Sequence, residues 1–259
     1  NPSAPTISVL GGSPTTFCEG GSITLTGATS GYNYTWTPGG TTTQNKIVIA
    51  SGSYRLVITD PVTGCSSPAS NAIVVTVNPT PKLSSTLTPG AICSETAFTY
   101  TPASSTTGTT FSWIRPVVTG ISNAQASGGT GVDPNEILIN TSTSSVLVTY
   151  IYTLTANGCS NTQNVTVQVN PSPVLTSSLT PAPICSGSPF SYVPSSSTPG
   201  TTFNWTRASV PGILNALASG SGNPNEVLYN STTAPIAVTY QYYMSISGCT
   251  NPIPANVVV

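Results

Sequence analysis

Six cysteines are the residues of this 259-residue chain whose type and spacing most directly imply covalent chemistry. They form three pairs that each enclose one tryptophan, and Cys93 to Cys185 spans the same 92 residues as Trp113 to Trp205. The three sets are Cys18, Trp36 and Cys65; Cys93, Trp113 and Cys159; and Cys185, Trp205 and Cys249. Such regularity predicts an oxidising compartment and one disulfide inside each set, with buried free thiols as the alternative.

Other reactive side chains are sparse. The chain has no histidine, which removes the commonest general base and metal ligand. Asp133 and Glu136 are the nearest carboxylates in sequence, and Asn223 replaces the first of them in the third set. A weak calcium site there is one interpretation, and a proline-initiated turn is the other. We therefore predict no catalytic residues, no metal site and no cofactor.

Aromatic side chains suggest two roles. Trp36, Trp113 and Trp205 lie between paired cysteines, which favours core packing over a sugar-stacking platform. Candidate binding residues are the tyrosines of two long strands and the glutamates that follow a Pro-Asn dipeptide. They are Tyr152, Tyr242, Glu136 and Glu226.

Charge is almost absent, since charged residues make up 4% of the chain. Five Lys and Arg against six Asp and Glu give no basic surface for nucleic acid and no polybasic patch for a membrane. No apolar run approaches the roughly 20 residues that span a bilayer, so membrane insertion is not expected either.

Period-two alternation of apolar and polar residues runs through each set and predicts strands. Seven or so short strands with a tryptophan between two cysteines are typical of an immunoglobulin-like sandwich. The sequence thus predicts an all-β chain of three tandem β-sandwich domains. Their boundaries are 1–79, 80–170 and 171–259, termed the first, second and third repeats, and the final strand is expected to be truncated.

Short proline-bearing joints follow the last strand of the first two repeats. They are Asn78-Pro79-Thr80-Pro81 and Asn170-Pro171-Ser172-Pro173. Alternate prolines favour extended geometry, so we expect stiff joints and an elongated rod that is part of a longer array. Each of the later repeats carries a Gly/Ser-rich insertion, one after Trp113 and one after Trp205. Long surface connections often carry functional residues, so we expect any such residues in these insertions.

The repeats resemble known families. The first repeat resembles the Ig-like repeats of Bacteroidota surface proteins, through Phe17–Ser22, Tyr34–Trp36 and Gly64–Cys65. The second and third resemble the PKD-like repeats of that phylum, through motifs such as Asn140–Thr143, Val148–Tyr150 and Asn157–Cys159. The resemblance implies long adhesins exported by the type IX system and displayed at the cell surface.

These observations lead to two expectations about function. The first is a non-enzymatic spacer or adhesive segment of an extracellular protein, whose partners are adjacent repeats and copies of itself in filaments. The second is a polysaccharide-binding module that uses the insertion loops and outward tyrosines. Loss of glycan binding on changing Tyr152 or Tyr242 would distinguish the second from the first.

Overall fold

A computed structural model describes residues 1–28 and 30–259, and it confirms the all-β prediction. The described part of the first repeat has seven strands and a 3-10 turn at Leu10–Gly12. The strands are β1 (Ile7–Val9), β2 (Thr16–Cys18), β3 (Ile23–Gly27), β4 (Asn33–Thr37), β5 (Asn45–Val48), β6 (Gly52–Thr59) and β7 (Ile73–Asn78).

The later repeats are described by seven strands each. The second has β8 (Ile92–Cys93), β9 (Ala97–Thr99), β10 (Thr110–Arg115), β11 (Ala126–Gly128), β12 (Asn135–Ile137), β13 (Val146–Ala156) and β14 (Cys159–Asn170). The third has β15 (Pro189–Phe190), β16 (Thr202–Arg207), β17 (Ala218–Ser221), β18 (Glu226–Val227), β19 (Thr239–Ile246), β20 (Cys249–Thr250) and β21 (Ala255–Val258).

Each sheet described here takes its strands from one sequence repeat. The first repeat has the orders β1-β3-β5 and β2-β7-β6-β4. The second has β11-β10-β13-β14-β8 and β12-β9, and the third has β17-β16-β19-β20, with β21 also on β19, and β15-β18. Most pairs are antiparallel, but β2 runs parallel to β7 and β8 runs parallel to β14. These two parallel pairs determine where the first cysteine of a repeat lies.

Alternation places the apolar residues inside, because successive side chains of a strand face opposite sides of the sheet. In β6, Tyr54, Leu56 and Ile58 are buried while the residues between them are more exposed. Trp36 on the neighbouring β4 is fully buried in the same core. Its indole Nε1 donates to the Thr43 carbonyl at 2.9 Å, so burial leaves the N–H satisfied.

The later repeats share one aromatic core arrangement. Ring centroids lie 5.4 Å apart for Trp113 and Tyr150 and 5.4 Å apart for Trp205 and Tyr240. Phe98 and Phe190 each lie 4.9 Å from the same tyrosine of their own repeat. Edge-to-face and tilted pairs of this kind add roughly 0.5–1.5 kcal/mol each beyond area burial.

The insertion of the later repeats belongs to the fold. It forms β11, which pairs with β10, and β17, which pairs with β16. Asn123 Nδ2 donates to the Ile137 carbonyl at 2.8 Å, and its Oδ1 accepts from the Ile139 amide at 2.8 Å. Asn215 does the same with Val227 and Tyr229. The side-chain amide thus satisfies backbone groups in the way that a neighbouring strand does.

Two compact units of mutually contacting residues make up the chain. The first comprises residues 1–85, 102–112 and 153–163, and the second comprises residues 86–101, 113–152 and 164–259. These units are defined by contact, whereas the three predicted domains are sequence repeats, and the domain boundaries stay a prediction. Within residues 1–28 and 30–259, no helix has the length and apolar character needed to cross a bilayer.

The indole of Trp113 packs directly on β11, and this contact supports a prediction. A Cβ built on Gly128 would lie 2.7 Å from the Trp113 Cε2 atom and 2.7 Å from the Val132 carbonyl oxygen, which accepts the indole N–H. We expect Gly128→Ala to lower the free energy of unfolding by about 1–3 kcal/mol, because the core must shift to admit the methyl group. Denaturant unfolding measures this.

Gly129→Ala is the matched control, since a Cβ there meets no atom within 4 Å. Equal denaturation midpoints for the two variants would contradict the tight packing of the indole on Gly128.

Candidate functional site

The cysteines link different repeats. Cys18 bonds to Cys159 with a Cα–Cα distance of 5.6 Å, and Cys93 bonds to Cys249 with a distance of 5.4 Å. Both distances are ordinary for disulfides. Cys65 and Cys185 are free. The prediction of one disulfide inside each repeat, Cys18–Cys65, Cys93–Cys159 and Cys185–Cys249, is therefore wrong.

Strand direction explains the error. Because β2 runs parallel to β7, Cys18 pairs with Asn78 at the end of the first repeat. Cys65 lies beside the Thr59–Ser66 bridge, at the far end of β6. The eight residues of β6 alone span about 25 Å, whereas disulfide formation needs Cα atoms within about 7 Å. The two cysteines of the first repeat therefore lie at opposite ends of the same sheet.

The second repeat has the same arrangement. The strand β14 begins at Cys159 and ends at Asn170, and Asn170 pairs with Cys93 on the parallel strand β8. In the first two repeats, the first cysteine thus lies where its repeat ends and the proline joint begins. Its disulfide partner is the second cysteine of the following repeat.

A tight turn presents that second cysteine. Asn157 has φ 50° and Gly158 has φ 78°, and the third repeat has the same values within a degree at Ser247 and Gly248. Positive φ at both central residues is the signature of the two-residue hairpin turn. The cysteine follows at once, as the first residue of the second strand of the hairpin.

Amide side chains add hydrogen bonds around each disulfide. At the first, Asn78 Nδ2 donates to the Asn157 carbonyl at 2.7 Å, and Asn161 Nδ2 donates to the Pro81 carbonyl at 3.0 Å. At the second, Asn170 Nδ2 donates to the Ser247 carbonyl at 3.5 Å, and Asn251 Nδ2 donates to the Pro173 carbonyl at 3.2 Å. We call each set, a disulfide with its two asparagines, a junction.

Sequence reasoning missed the junction asparagines. Two signals were present: Asn precedes proline at both joints, and Asn161 and Asn251 each lie two residues after a second cysteine. Asn161 and Asn251 are half-buried.

The candidate binding glutamates serve the core instead. Glu136 accepts two hydrogen bonds from fully buried Arg115, from Nε at 2.8 Å and from Nη2 at 2.7 Å, and a third from the Tyr150 hydroxyl at 2.7 Å. Arg115 Nη1 and Nη2 also donate to the carbonyls of Pro116 and Ala124. The carboxylate is thus engaged by internal partners.

The third repeat duplicates this cluster. Arg207 donates to Glu226 at 2.9 Å through both Nε and Nη2, and the Tyr240 hydroxyl donates to Glu226 at 2.7 Å. Burial alone raises the pKa of Glu226, but the hydrogen bonds from Arg207 and Tyr240 outweigh it and hold that pKa below its ordinary value. The same balance lowers the pKa of Glu136. Glu136 and Glu226 are therefore held in structural ion pairs with Arg115 and Arg207.

Tyr152 and Tyr242 do not face outward. Both are 0% exposed, so the expectation that they offer a binding surface is wrong. The reason is the alternation of side chains along a strand. Tyr152 lies two residues after the core residue Tyr150 on β13, and residues two apart share a face. Tyr242 follows Tyr240 on β19 in the same way. Trp36, Trp113 and Trp205 are all buried, with exposures of 0%, 7% and 5%.

Metal-binding geometry is absent from the part of the chain that the structure describes, where no group of three or more His, Cys, Asp or Glu is suited to an ion. Asp133 is exposed, and its neighbour Glu136 is held by Arg115.

Comparison with known proteins gives one family match. The model of the PKD-like domain matches residues 90–173. The comparison with curated proteins gives no match.

Solved structures give distant likenesses. The three N-terminal domains of the highly immunogenic outer capsid protein of bacteriophage RB49 are 16% identical, with a TM-score of 0.34, over 98% of this chain and 97% of that one. Sidekick-1 immunoglobulin domains 1–5 are 13% identical, with a TM-score of 0.30, over 94% and 57%. Drosophila OTK extracellular domains 3–5 are 11% identical, with a TM-score of 0.33, over 94% and 92%. What the comparisons support is a PKD-like domain within the chain.

The buried ion pair yields a prediction with a pH dependence. We expect Glu136→Gln to lower the free energy of unfolding by about 3 kcal/mol, because Arg115 keeps its charge in a buried position without a counter-charge. Glu95→Gln, at an exposed carboxylate, is the control and should change little. Denaturant unfolding at neutral pH measures both.

The sign of the pH effect follows from the lowered pKa of Glu136 and Glu226. A carboxylate with a lower pKa in the folded state stabilises the fold above its unfolded pKa, and this contribution is lost as the pH falls through the folded pKa. Wild-type stability should therefore drop below about pH 4, and less so in the double variant Glu136→Gln/Glu226→Gln. Parallel acid-denaturation profiles would contradict this role.

Proposed function

We propose that this chain is a force-transmitting spacer segment of an extracellular protein, in which a disulfide links each repeat covalently to the next. The observation that carries the proposal is the pairing Cys18–Cys159 and Cys93–Cys249. A disulfide inside a domain stabilises only that domain. A disulfide between repeats gives force a second covalent route across the proline joint.

The two bonds close overlapping loops, one from residue 18 to 159 and the other from 93 to 249. Residues 93–159 belong to both loops. When the ends are pulled, the shortest covalent path runs from residue 1 to 18, across to 159, back to 93, across to 249 and on to 259. Residues outside this path therefore add nothing to the maximum end-to-end distance, even when their strands unfold.

Long loops also give large stabilisation. With sequence separations of 141 and 156, the chain-entropy model gives about 5 kcal/mol for each bond considered alone. Disulfides of this kind persist in oxidising compartments, which supports an extracellular location. The finer assignment, a type IX-secreted surface adhesin of Bacteroidota, depends on the resemblance of the sequence motifs.

Self-association and attachment complete the proposal. With 4% charged residues, mutual repulsion between copies is weak, and adjacent repeats and further copies are the partners we propose. The alternative of a polysaccharide-binding module is less well supported, because its candidate binding residues Tyr152 and Tyr242 are buried. The chain has no histidine, and Glu136 and Glu226 are held in ion pairs by Arg115 and Arg207, so we propose a non-enzymatic role.

Force spectroscopy tests the spacer directly. At about 3.5 Å per residue, the oxidised chain should extend by at most about 320 Å, because about 90 residue steps lie on its shortest covalent path. The double variant Cys18→Ser/Cys93→Ser should extend to about 900 Å, since the whole chain then lengthens.

Cys65→Ser/Cys185→Ser is the matched control, because it removes two cysteines that are outside both disulfides. It should behave as the oxidised wild type does. Equal extension of the two double variants would sink the proposal that the junctions carry load.

A further inference from the structure

The strands β5, β12 and β18 occupy the same position in the three repeats. Each of them pairs antiparallel with the next strand after the first cysteine of its repeat, which is β3, β9 or β15. Their sequences also align, as Asn-Lys-Ile-Val-Ile at 45–49, Asn-Glu-Ile-Leu-Ile at 135–139 and Asn-Glu-Val-Leu-Tyr at 225–229. The fourth residue of each segment is buried. The outer edges of the three strands can therefore be compared residue by residue.

In the later repeats, the insertion covers this outer edge. Asn123 Nδ2 donates to the Ile137 carbonyl, and Asn123 Oδ1 accepts from the Ile139 amide, both at 2.8 Å. Asn215 makes the same two bonds in the third repeat, at 2.8 and 2.9 Å. The groups that need a partner are thus one carbonyl and the amide two residues later. A side-chain amide offers the same donor and acceptor as a peptide group, so the cover that this edge accepts is an extended backbone.

The first repeat has no such insertion, and the equivalent groups there are the Ile47 carbonyl and the Ile49 amide. The Gly27 amide donates to the Gln44 carbonyl at 3.1 Å, which fixes the hydrogen-bonding phase between β3 and β5. Because alternate residues of an antiparallel strand bond to one neighbour, the backbone groups of Asn45, Ile47 and Ile49 point away from β3. Within residues 1–28 and 30–259, no group donates to the Ile47 carbonyl or accepts from the Ile49 amide.

The outward side chains along the open edge are apolar. Ile47 is 69% exposed and Ile49 is 70% exposed. Lys46, the one charged residue of β5, faces the core, where it is 8% exposed and donates to Thr41 Oγ1 at 2.9 Å. Natural sheets protect an open edge with outward charges or with proline, and β5 carries neither. This edge is therefore suited to pairing with another strand.

We propose that β5 of one molecule pairs with β5 of a second copy of this chain, antiparallel and about a two-fold axis at Ile47. In this register, Ile47 lies opposite Ile47 of the second copy, and Asn45 lies opposite Ile49 of the second copy. The outward amides and carbonyls of the two strands then satisfy one another, as the asparagine amides do in the later repeats. This inference rests on the proposed function, since it names the surface through which copies self-associate.

Symmetry and charge favour a second copy as the occupant of this edge. A two-fold contact uses the same surface on both molecules, and the edge is complementary to itself in the register given above. No like charges meet there, because Lys46 faces the core. The β-branched side chains that lie opposite each other also stabilise the pairing. Two short strands bury less than the roughly 1,200 Å² of a standard interface, so the dimer is weak and gains strength where several copies are held close together.

Substitution of Ile47 tests the pairing. In the background Cys65→Ser/Cys185→Ser, which prevents cross-links between thiols, sedimentation equilibrium at up to about 1 mM protein measures dimerisation. We expect Ile47→Lys to weaken the dimer about tenfold, or about 1.4 kcal/mol, because two lysines then face each other. Val74→Lys is the matched control, since Val74 is 64% exposed but lies on β7, which has a neighbouring strand on both sides. This control should dimerise as the unsubstituted chain does.

A charge swap tests the register. Ile47→Glu alone should weaken the dimer as Ile47→Lys does, whereas an equal mixture of the two variants should recover it, because opposite charges then face each other. Hydrogen exchange of the unsubstituted chain gives an independent measurement. The Ile47 and Ile49 amides should exchange more slowly as the protein concentration rises, and the Lys46 amide, which faces β3, should not change.

Three results would overturn the inference. They are equal dimerisation of Ile47→Lys and Val74→Lys, a charge-swapped mixture that does not recover, and an unsubstituted chain that stays monomeric up to about 1 mM. The last result would leave the edge of β5 to an extended segment of a different protein. None of them changes the extension of single molecules under force, so failure of the β5 pairing is distinguishable from failure of the proposed spacer.

Discussion

The parallel pairing of a repeat's first-cysteine segment with its own last strand is the constraint on which the rest of this structure depends. It places Cys18 beside Asn78 and Cys93 beside Asn170, where the proline joints begin. A cysteine in that position cannot reach the other cysteine of its repeat, which lies at the opposite end of the sheet. Its bond is directed to the following repeat, and the overlapping loops and the positions of the junction asparagines follow from this.

Local sequence predicted the strands and the core but not the pairing of the cysteines. Alternation along β6 and β13 was enough to place Tyr54 or Tyr150 inside, because it depends only on residues two apart. The same reasoning, applied to Tyr152, indicates burial, so the outward position expected for it conflicted with its own strand. Disulfide pairing depends on which strands are neighbours and in which direction they run. No local pattern specifies that for β8 and β14.

The buried ion pairs could be predicted in part from the sequence. Arg115 lies two residues after Trp113 and Arg207 two residues after Trp205, so each arginine shares the inward face of its tryptophan. A buried arginine requires a counter-charge, and Glu136 and Glu226 are the carboxylates that follow in each repeat. The missing information was that the insertion folds over the guanidinium and supplies carbonyl acceptors such as that of Ala216. The first repeat lacks this insertion, and there Lys46 donates to Thr41 and lies over the Tyr54 ring.

The two ion pairs with a buried arginine lie inside the second and third repeats, while the junctions are built from groups that do not titrate. The disulfides, the asparagine amides and the backbone carbonyls keep their bonding across the pH range in which carboxylates change state. Salt screens exposed charges over about 10 Å at 0.1 M, and the junction contacts carry none to screen. Acid weakens the glutamate pairs of the second and third repeats, and the covalent path between repeats persists when it does. Covalent continuity of the chain is therefore separated from the stability of any one repeat, which is the arrangement that the proposed spacer role requires.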